Sequence, residues 1–325
     1  MPYKKICVTG ASGFLASHII IKLLDQDYIV NAITRNKTKY HEEYMDYIKR
    51  KTNQSNLLTI FEYNDNSKLD VLINILSDCD CVMHCASPVI LKDYDNNYDN
   101  EKNIIGPAIK YTNDIFNAIS STNVKRVILT SSTCSIYDGS KYEYNSSYWA
   151  KEELIKDAYS LSKIKTEKIA WKFYYENIVN KEINKQWDLI VLNPGRIIGP
   201  LIYPSIPDSF CSIYEIMEAL DSNGLQQKDG VMENYYSSFC DVRDVAHLHI
   251  YAINNLNVGR YIISFEIKNL KDYYNIICYN DFKKTIQFVE NNNKFHYINS
   301  FQDYKYISFN KSLTDTFSTI KMLKC

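Results

Sequence analysis

A tyrosine and a lysine stand four residues apart in the segment AYSLSKIKTEKIAW, and their types and spacing suit general acid catalysis. Positions i and i+4 share one face of a helix, so Tyr159 and Lys163 are predicted to lie side by side. An unperturbed tyrosine has a pKa of about 10, and a nearby ammonium lowers it by roughly 1 to 3 units. We therefore expect Lys163 to depress the pKa of Tyr159, which would then donate a proton near neutral pH.

A pair of serines follows a predicted strand upstream of this helix. The run RVILT ends in TSS, which places Ser131 and Ser132 at the carboxyl end of the strand. A doubly wound sheet binds its ligands at that edge. If the substrate carries a carbonyl group, we expect Tyr159 to protonate its oxygen and Ser132 to donate a hydrogen bond to the same oxygen. Because the chain has 28 tyrosines, a YxxxK spacing alone is weak evidence, and its order with the other motifs gives it weight.

A glycine-rich loop lies near the start of the chain. The strand-like segment KKICVTG runs through ASGFLA into SHIIIKLL, with Gly10, Gly13 and Ala16 in a TGxxGxxA arrangement. Between a strand and a helix, this pattern is typical of a site for a dinucleotide pyrophosphate. Gly10 would permit the tight turn, Gly13 the close approach to the phosphates, and Ala16 the packing of helix on strand. The phosphates would rest on the helix N-terminus.

The end of the second predicted strand indicates which dinucleotide binds. The segment AITRN carries Arg35, and no acidic residue occurs between Tyr28 and His41. A 2′-phosphate beside an arginine gains charge-assisted hydrogen bonds, whereas a carboxylate at about 4 Å would oppose it by roughly 4 kcal/mol at an effective dielectric of about 20. NADP(H) is therefore the predicted cofactor, and Lys37 or Lys39 could add to the phosphate site.

Short apolar runs alternate with stretches of helical spacing through the first half of the chain. This alternation predicts an α/β fold of the Rossmann type, a doubly wound parallel sheet. The predicted strands are Lys5 to Thr9, Tyr28 to Ile33, Leu57 to Phe61, Cys81 to Cys85, Lys125 to Thr130 and Leu189 to Asn193. The predicted helices are Gly13 to Leu24, Asn36 to Arg50, Asn103 to Ser120 and Ala158 to Asn177.

The segments PGRIIGP and PSIPDS interrupt this alternation and predict a second, smaller lobe. We expect an NADP-binding Rossmann domain over residues 1–198, to which residues 239–263 return. Residues 199–238 and 264–325 would form the smaller substrate lobe, with helices after Ile263. The segment from Leu201 to Tyr235 is predicted to wall the substrate pocket.

The amino-acid composition indicates which classes of binding partner are expected. The 325 residues are 46% hydrophobic and 23% charged, with a net charge of -1, as in ordinary globular proteins. Nucleic acid or an anionic membrane would call for a basic excess, so neither is expected. No segment approaches about eighteen consecutive apolar residues, and the first ten residues predict a strand, so neither a membrane span nor a signal segment is expected. Nine scattered cysteines favour a reducing, cytoplasmic location. We expect a monomer or homodimer.

A cluster of cysteines could suggest a metal site. Cys79, Cys81 and Cys85 stand close together, with His84 beside the last. The run CDCVMHCAS is short and apolar, which predicts a buried strand with cysteines as small core side chains. No metal site is therefore predicted.

Together these motifs resemble the extended short-chain dehydrogenases of the NAD-dependent epimerase/dehydratase superfamily, within them the group of dihydroflavonol 4-reductase and cinnamoyl-CoA reductase. The segments VTGASGFLASHI, CVMHCASP, KRVILTSS, YSLSK, NPGRIIGP, PSIPDS, FCDVRDVAHLHIY and GRYI carry the resemblance, over residues 5–263. It implies reduction of a small aldehyde or ketone with NADP(H), and catalysis by Ser132, Tyr159 and Lys163. Besides Tyr159 and Lys163, the implied cofactor contacts are Gly10, Gly13, Phe14, Leu15, Arg35, Asn64, Asp65, Cys85, Ala86, Ser87, Pro194, Ile197 and Ser209.

Several positions depart from the family pattern. The family usually has Asp where this chain has Asn64, so the adenine contact is altered or passes to Asp65. Lys110 and Tyr111 replace an Asn-Gly pair in the helix before the fifth strand, which argues against a proton relay there. Tyr137 stands where plant flavonoid reductases carry a substrate-binding Asn. We expect Tyr137 to contact substrate, and flavonoid specificity is not supported.

Other functions on this fold stay open. A sugar-nucleotide epimerase or dehydratase, or a hydroxysteroid dehydrogenase, would use the same sheet. Arg35 and the PSIPDS segment count against the sugar-nucleotide enzymes, which commonly hold NAD through an acidic residue. A catalytically silent NADP-binding regulator would keep the glycine loop but would generally lose the tyrosine and the lysine, and both are present here.

Overall fold

The computed structural model describes residues 3–36, 44, 46–86, 100–179, 186–202, 231–281, 287–290 and 293–324. Its strands are β1 (Lys5–Thr9), β2 (Ile29–Thr34), β3 (Leu58–Glu62), β4 (Cys81–His84), β5 (Arg126–Thr130), β6 (Glu143–Tyr144), β7 (Asp188–Pro194), β8 (Arg196–Ile198), β9 (Val231–Asn234), β10 (Tyr236–Asp241), β11 (Gly259–Ile263), β12 (Glu266–Asn269), β13 (Gln287–Glu290) and β14 (His296–Tyr297). Its helices are α1 (Phe14–Leu24), α2 (Leu69–Leu76), α3 (Gly106–Ser120), α4 (Ala158–Val179), α5 (Val242–Asn255), α6 (Leu270–Asp281) and α7 (Phe309–Lys324).

Seven parallel strands form the central sheet in the order β11-β7-β5-β4-β1-β2-β3. The predicted doubly wound Rossmann-type fold is confirmed. Each of the six predicted strands is present, and its ends lie within one residue of the prediction. The chain reverses its progress across the sheet between β1 and β4, and a fold of this kind binds ligands at that switch point.

Helices cover both faces of the sheet because its strands are apolar on both sides. Along β1, Ile6 and Val8 join the hydrophobic cluster that includes α1 and α5, whereas Cys7 joins the opposite cluster with Val82 and Phe116. Successive side chains of a strand point to opposite faces, so one short run contributes to both clusters. Near-continuous apolar runs are typical of parallel strands buried on both faces.

The predicted helices agree with the structure where it describes them, apart from their first turns. Gly13 is the N-cap of α1 and not its first residue. A π-helical turn, Glu101–Ile105, precedes α3, which begins at Gly106 and not at Asn103. Helix α4 begins at Ala158 as predicted. Of the predicted helix from Asn36 to Arg50, residues 46–50 are helical, and most of the rest lies outside the described residues.

The part of the chain after β11 differs from the sequence-based expectation of helices alone. It contains α6 and α7, but also the short strands β12, β13 and β14. Strand β12 pairs antiparallel with β10, which pairs in parallel with β8. Strands of two to four residues are too short to show an alternating pattern, which is why periodicity predicted only helices there. No helix in the described ranges is long and apolar enough to cross a membrane.

A buried carboxylate, that of Asp241, connects the last helix to strand β10 of the three-stranded sheet. Asp241 is the N-cap of α5 and accepts a hydrogen bond from the backbone N–H of Arg243 (2.8 Å). Its other oxygen accepts a hydrogen bond from the hydroxyl of Ser312 on α7. The Arg243 guanidinium pairs with both Asp241 and Asp315. This cluster joins α7 to the carboxyl end of β10.

We expect Ser312→Ala to lower the free energy of unfolding by about 1.5–3 kcal/mol, because it removes a hydrogen bond to a buried carboxylate. Ser318→Ala is the matched control, since the exposed Ser318 hydroxyl bonds to the Thr314 carbonyl on the same helix. Both variants gain the same helix propensity, which cancels in the comparison. Urea unfolding followed by circular dichroism measures the difference, and equal effects of the two substitutions would contradict this role for Ser312.

Candidate active site

The glycine loop between β1 and α1 is shaped by a close backbone contact. Gly10 has φ +69°, and a Cβ placed on it would lie 2.9 Å from the Cα of Ala86. The Gly13 N–H donates to the Gly10 carbonyl (2.8 Å), and Gly13 caps α1 without a side-chain hydrogen bond. The amides of the first turn of α1 are therefore not blocked by a capping side chain, as an anion site at a helix N-terminus requires.

Phe14 and Leu15 begin α1, but their side chains are buried in the hydrophobic cluster beneath the loop. Any contact that they make with a ligand would therefore come from their backbone amides. Ala16 is also buried in this cluster, where a small side chain lets the helix pack on the strand.

The floor of the site is polar but uncharged. The Thr9 hydroxyl lies 2.8 Å from Nδ1 of His84 and accepts a hydrogen bond from the Ala86 N–H (3.1 Å). Burial lowers the pKa of His84 to about 3, so the ring is neutral at physiological pH. Burial also raises the pKa of Cys85 to about 11, so the thiol stays protonated. Cys85 and Ala86 follow β4 at the switch point, and the predicted contact Ser87 lies outside the described residues.

Arg35 is exposed at the end of β2, close to a tyrosine on α3. Burial and a hydrogen bond to Asp65 (3.0 Å) raise the pKa of Tyr111 to about 12, and the positive charge of Arg35 opposes that rise. Asp65, predicted to take over the adenine contact, is thus bound by Tyr111. The Asn64 side chain bonds to Glu62 (2.9 Å) and to the backbone of its own turn. Lys37 and Lys39 lie outside the described residues.

Ser132, Tyr159 and Lys163 come together at the carboxyl end of β5. A hydrogen bond joins the side chains of Ser132 and Tyr159 and acts to lower the pKa of the phenol. The Lys163 ammonium donates to the Thr130 carbonyl (3.3 Å) and lies 5.7 Å from the centroid of the Tyr159 ring. The first turns of α4 therefore bring the tyrosine and the lysine to the serine, as their spacing indicated.

The expected depression of the Tyr159 pKa by Lys163 is wrong for this structure. Burial raises the pKa of Tyr159 above its usual value, and the opposing contributions come from the Ser132 hydrogen bond and the charge of Arg196. The Lys163 ammonium points to the Thr130 carbonyl, and burial lowers its own pKa to about 8. The Tyr159 phenol is therefore neutral at physiological pH, and Lys163 is the group that titrates near that pH.

The predicted substrate contact Tyr137 lies in an aromatic wall. Its ring centroid is 4.6 Å from that of Phe295 and 5.3 Å from that of Tyr144. A hydrogen bond from Thr133 to Tyr297 joins the same wall to the serine loop. Strand β14 pairs with β6 and brings Phe295 and Tyr297 to this position.

Arg196 lies in the sequence between the predicted cofactor contacts Pro194 and Ile197, and its charge acts on the Tyr159 phenol. Arg196 is half-buried, is hydrogen-bonded to Tyr235, and lines a small cavity with Tyr235 and Tyr273. Of the segment from Leu201 to Tyr235 that was predicted to wall the pocket, the structure describes residues 201–202 and 231–235. The predicted cofactor contact Ser209 therefore lies outside the described residues.

Sequence reasoning missed Arg196, Phe295, Tyr297 and the buried Glu167. Glu167 had a signal in the sequence, because it follows Tyr159 and Lys163 at the same four-residue spacing on one helix face. The aromatic residues had none, since β14 has only two residues and lies far along the chain. Among the described residues, no three His, Cys, Asp or Glu side chains gather as metal ligands.

The chain is similar to plant proteins that are named as reductases. Cinnamoyl-CoA reductase 2 from Medicago truncatula is 30% identical over 266 residues, which span 79% of this chain and 70% of the relative. Dihydroflavonol 4-reductase from Dianthus caryophyllus is 29% identical over 272 residues, 80% of this chain and 68% of the relative. These relatives confirm the resemblance that the motifs indicated.

A solved structure extends the similarity of the fold to nearly the whole chain. Yeast methylglyoxal/isovaleraldehyde reductase Gre2, complexed with NADPH, matches with a TM-score of 0.78 at 24% identity, over 98% of this chain and 99% of that chain. Residues 6–265 match the family model described as the NAD dependent epimerase/dehydratase family. Because that match covers most of the sequence, the chain belongs to the NAD dependent epimerase/dehydratase family.

Proposed function

We propose that the protein is an NADP(H)-dependent oxidoreductase that reduces the carbonyl of a small aldehyde or ketone to an alcohol. The observation that carries this proposal is the hydrogen-bonded pair of Ser132 and Tyr159, a neutral phenol beside a hydroxyl at the ligand-binding edge of the sheet. The named reductases among the relatives support the same reaction class. The Gre2 structure with NADPH supports the choice of cofactor.

The residues present fit a dinucleotide. The contact of Gly10 with Ala86 leaves no room for a Cβ, and no side chain caps the α1 N-terminus, where a pyrophosphate would rest. Gly13 keeps the loop free of a side chain, and Phe14 and Leu15 at the start of α1 would hold the phosphates through their backbone N–H groups. Arg35 would hold the 2′-phosphate, and Lys163 the nicotinamide ribose. When bound, the nicotinamide supplies the hydride.

The remaining chemistry belongs to the protein side chains. Ser132 donates a hydrogen bond to the substrate carbonyl oxygen and fixes it beside Tyr159. Tyr159 transfers its phenolic proton to that oxygen as the carbonyl carbon is reduced, which general acid catalysis makes roughly a hundredfold to ten-thousandfold faster. The Ser132 hydroxyl and the positive charge of Arg196, which oppose the effect of burial on Tyr159, stabilise the phenolate that remains. The raised pKa of Tyr159 favours its role as an acid, because the proton stays on the phenol until substrate arrives.

A panel of small aldehydes and ketones with NADPH tests the reaction class, with loss of nicotinamide absorbance as the signal. We expect consumption of NADPH by at least one carbonyl compound, with an equal amount of alcohol formed. A sugar-nucleotide epimerase would instead interconvert sugars without net loss of the nicotinamide signal. Absence of turnover with every carbonyl, together with such an interconversion, would overturn the proposal.

Cofactor preference depends on Arg35. We expect NADPH to bind more tightly than NADH, and Arg35→Asp to weaken NADPH binding by roughly tenfold to a hundredfold, because a charge-assisted hydrogen bond is worth about 1.5–3 kcal/mol. Fluorescence titration of both cofactors measures this. Lys172→Asp is the control, since Lys172 lies exposed on α4. Equal affinities of the unsubstituted protein for NADPH and NADH would remove the argument from Arg35.

Tyr159→Phe removes the proton donor and keeps the ring. Turnover should fall by about two to four orders of magnitude, the usual worth of a general acid, whereas NADPH affinity stays nearly unchanged. Steady-state kinetics and cofactor titration measure the two effects separately. Tyr175→Phe, on an exposed ring of the same helix, should leave both unchanged. Wild-type turnover in Tyr159→Phe would show that the assigned mechanism is wrong.

The pH dependence should follow Lys163 and not Tyr159. Burial lowers the pKa of Lys163 to about 8, so its ammonium is present below that pH and is lost as the pH rises through it. NADPH affinity should therefore weaken between about pH 7 and pH 9, and Lys163→Ala should reduce affinity and turnover together and abolish this pH step. Titrations at a series of pH values test this, and an unchanged step in Lys163→Ala would assign it to another group.

A further inference from the structure

A carboxylate that the proposed mechanism does not use is buried beneath the serine loop. Glu167 is 0% exposed, two turns along α4 from Tyr159 and one turn from Lys163. Burying a carboxylate is costly unless its oxygens are hydrogen-bonded and its charge is paired. Both conditions are met here, by groups from three separate parts of the chain: the serine loop, β7 and β11.

One oxygen of Glu167 is surrounded by donors from the serine loop and from β7. The hydroxyls of Ser131 and Ser135 both donate to Oε2, and the Asn193 amide donates to it at 2.9 Å. Ser135 and Asn193 also lie within hydrogen-bonding distance of the Ser132 carbonyl, at 2.8 Å and 3.2 Å. The Asn193 amide, which has two N–H bonds, therefore reaches both the carboxylate and the Ser132 carbonyl, and the Ser135 backbone N–H also donates to that carbonyl (3.0 Å).

The other oxygen of Glu167 pairs with Arg260 on β11. The Arg260 guanidinium is 7% exposed, donates to the carbonyls of Ser146 (2.9 Å) and Tyr148 (2.6 Å), and lies 3.9 Å from the Trp149 ring centroid. Its position is thus fixed from three directions. The ion pair connects the edge of the sheet to the helix that carries Tyr159.

Stability alone does not explain such a pair. Apolar residues of similar volume often stabilise a protein as well as a buried ion pair does, or better, because desolvation offsets the attraction between the charges. What the carboxylate adds is direction, because each hydrogen bond to Glu167 fixes the orientation of its donor. Asn193 also donates to the Ser132 carbonyl and so holds the Ser132 backbone, whereas Tyr159 lies on the same helix as Glu167.

We propose that Glu167 is a positioning residue whose carboxylate, held by Arg260, fixes the turn from Ser131 to Ser135 against α4, so that Ser132 and Tyr159 meet the same carbonyl oxygen. This inference rests on the proposed function. Glu167 also acts on Lys163, because its negative charge raises the pKa of that ammonium against the effect of burial. Loss of the charge should therefore be visible in cofactor binding as well as in turnover.

The test compares Glu167→Gln with Glu152→Gln, whose carboxylate pairs with Lys168 on the surface of the same helix. In Glu167→Gln, kcat should fall about tenfold to a hundredfold, the effect of a displacement of about 1 Å at reacting groups. NADPH affinity below pH 7 should stay close to that of the unsubstituted protein, and its weakening should begin at lower pH. The control should match the unsubstituted protein throughout.

A second measurement needs no turnover. The Cys134 N–H donates to the Ser132 hydroxyl (3.2 Å), and the Cys134 side chain is partly exposed, so its alkylation by iodoacetamide reports on the turn. Mass spectrometry resolves Cys134 from the other thiols. We expect faster alkylation in Glu167→Gln and in Ser135→Ala than in Glu152→Gln, because the turn has lost a fixed partner.

If Glu167→Gln does not fold because Arg260 is left without its partner, the double variant Glu167→Gln with Arg260→Gln removes both charges and keeps similar volumes. That variant should fold and still show the reduced kcat and the faster alkylation. A kcat and an alkylation rate in the double variant equal to those of the unsubstituted protein would overturn the inference. If the unsubstituted protein itself reduces no carbonyl with NADPH, the proposed function fails, and the Cys134 rates still decide whether Glu167 fixes the turn.

Discussion

The contact between Gly10 and the backbone of Ala86 is the constraint on which the ligand-binding edge depends. It brings the loop after β1 against the end of β4, a distance at which any Cβ would clash. Because β1 and β4 are neighbours in the sheet, this contact lies at the switch point, where the α1 N-terminus faces the same crevice. The neutral side chains of Thr9 and His84 lie below and add no charge to compete with those of a ligand.

Electrostatics divides the site into two zones. Around the lysine, burial disfavours charge on the ammonium, and the negative charge of Glu167 opposes that effect. Around the phenol, burial disfavours the phenolate, with Arg196 and the Ser132 hydroxyl opposing it. The two groups were expected to act on each other directly, as an ammonium lowering the pKa of a phenol. Instead each is set mainly by its own burial, which keeps the tyrosine protonated and the lysine close to its titration point.

Sequence reasoning succeeded where physical signals were local. Five of the six strands that it predicted are short runs buried on both faces, and β3, at the edge of the sheet, has Thr59 exposed. The strand Lys5–Thr9 even has the predicted ends. Tyr159 and Lys163 were predicted to meet because a helix brings positions i and i+4 together. Helix α2 was missed, since its eight residues are few for a periodic pattern. Arg260 was missed for another reason: it is 93 positions from Glu167, and only the folded sheet brings them together.

Strand β14 places Phe295 against Tyr137, so a stretch late in the sequence forms one wall with the predicted substrate contact. The glycine loop and Arg35, by contrast, lie within the first forty residues. The residues proposed to contact substrate and those proposed to hold the dinucleotide thus come from separate stretches of the sequence. Exchange of the stretch that contains β14 between paralogues would change the proposed substrate wall while the proposed cofactor residues are inherited unchanged.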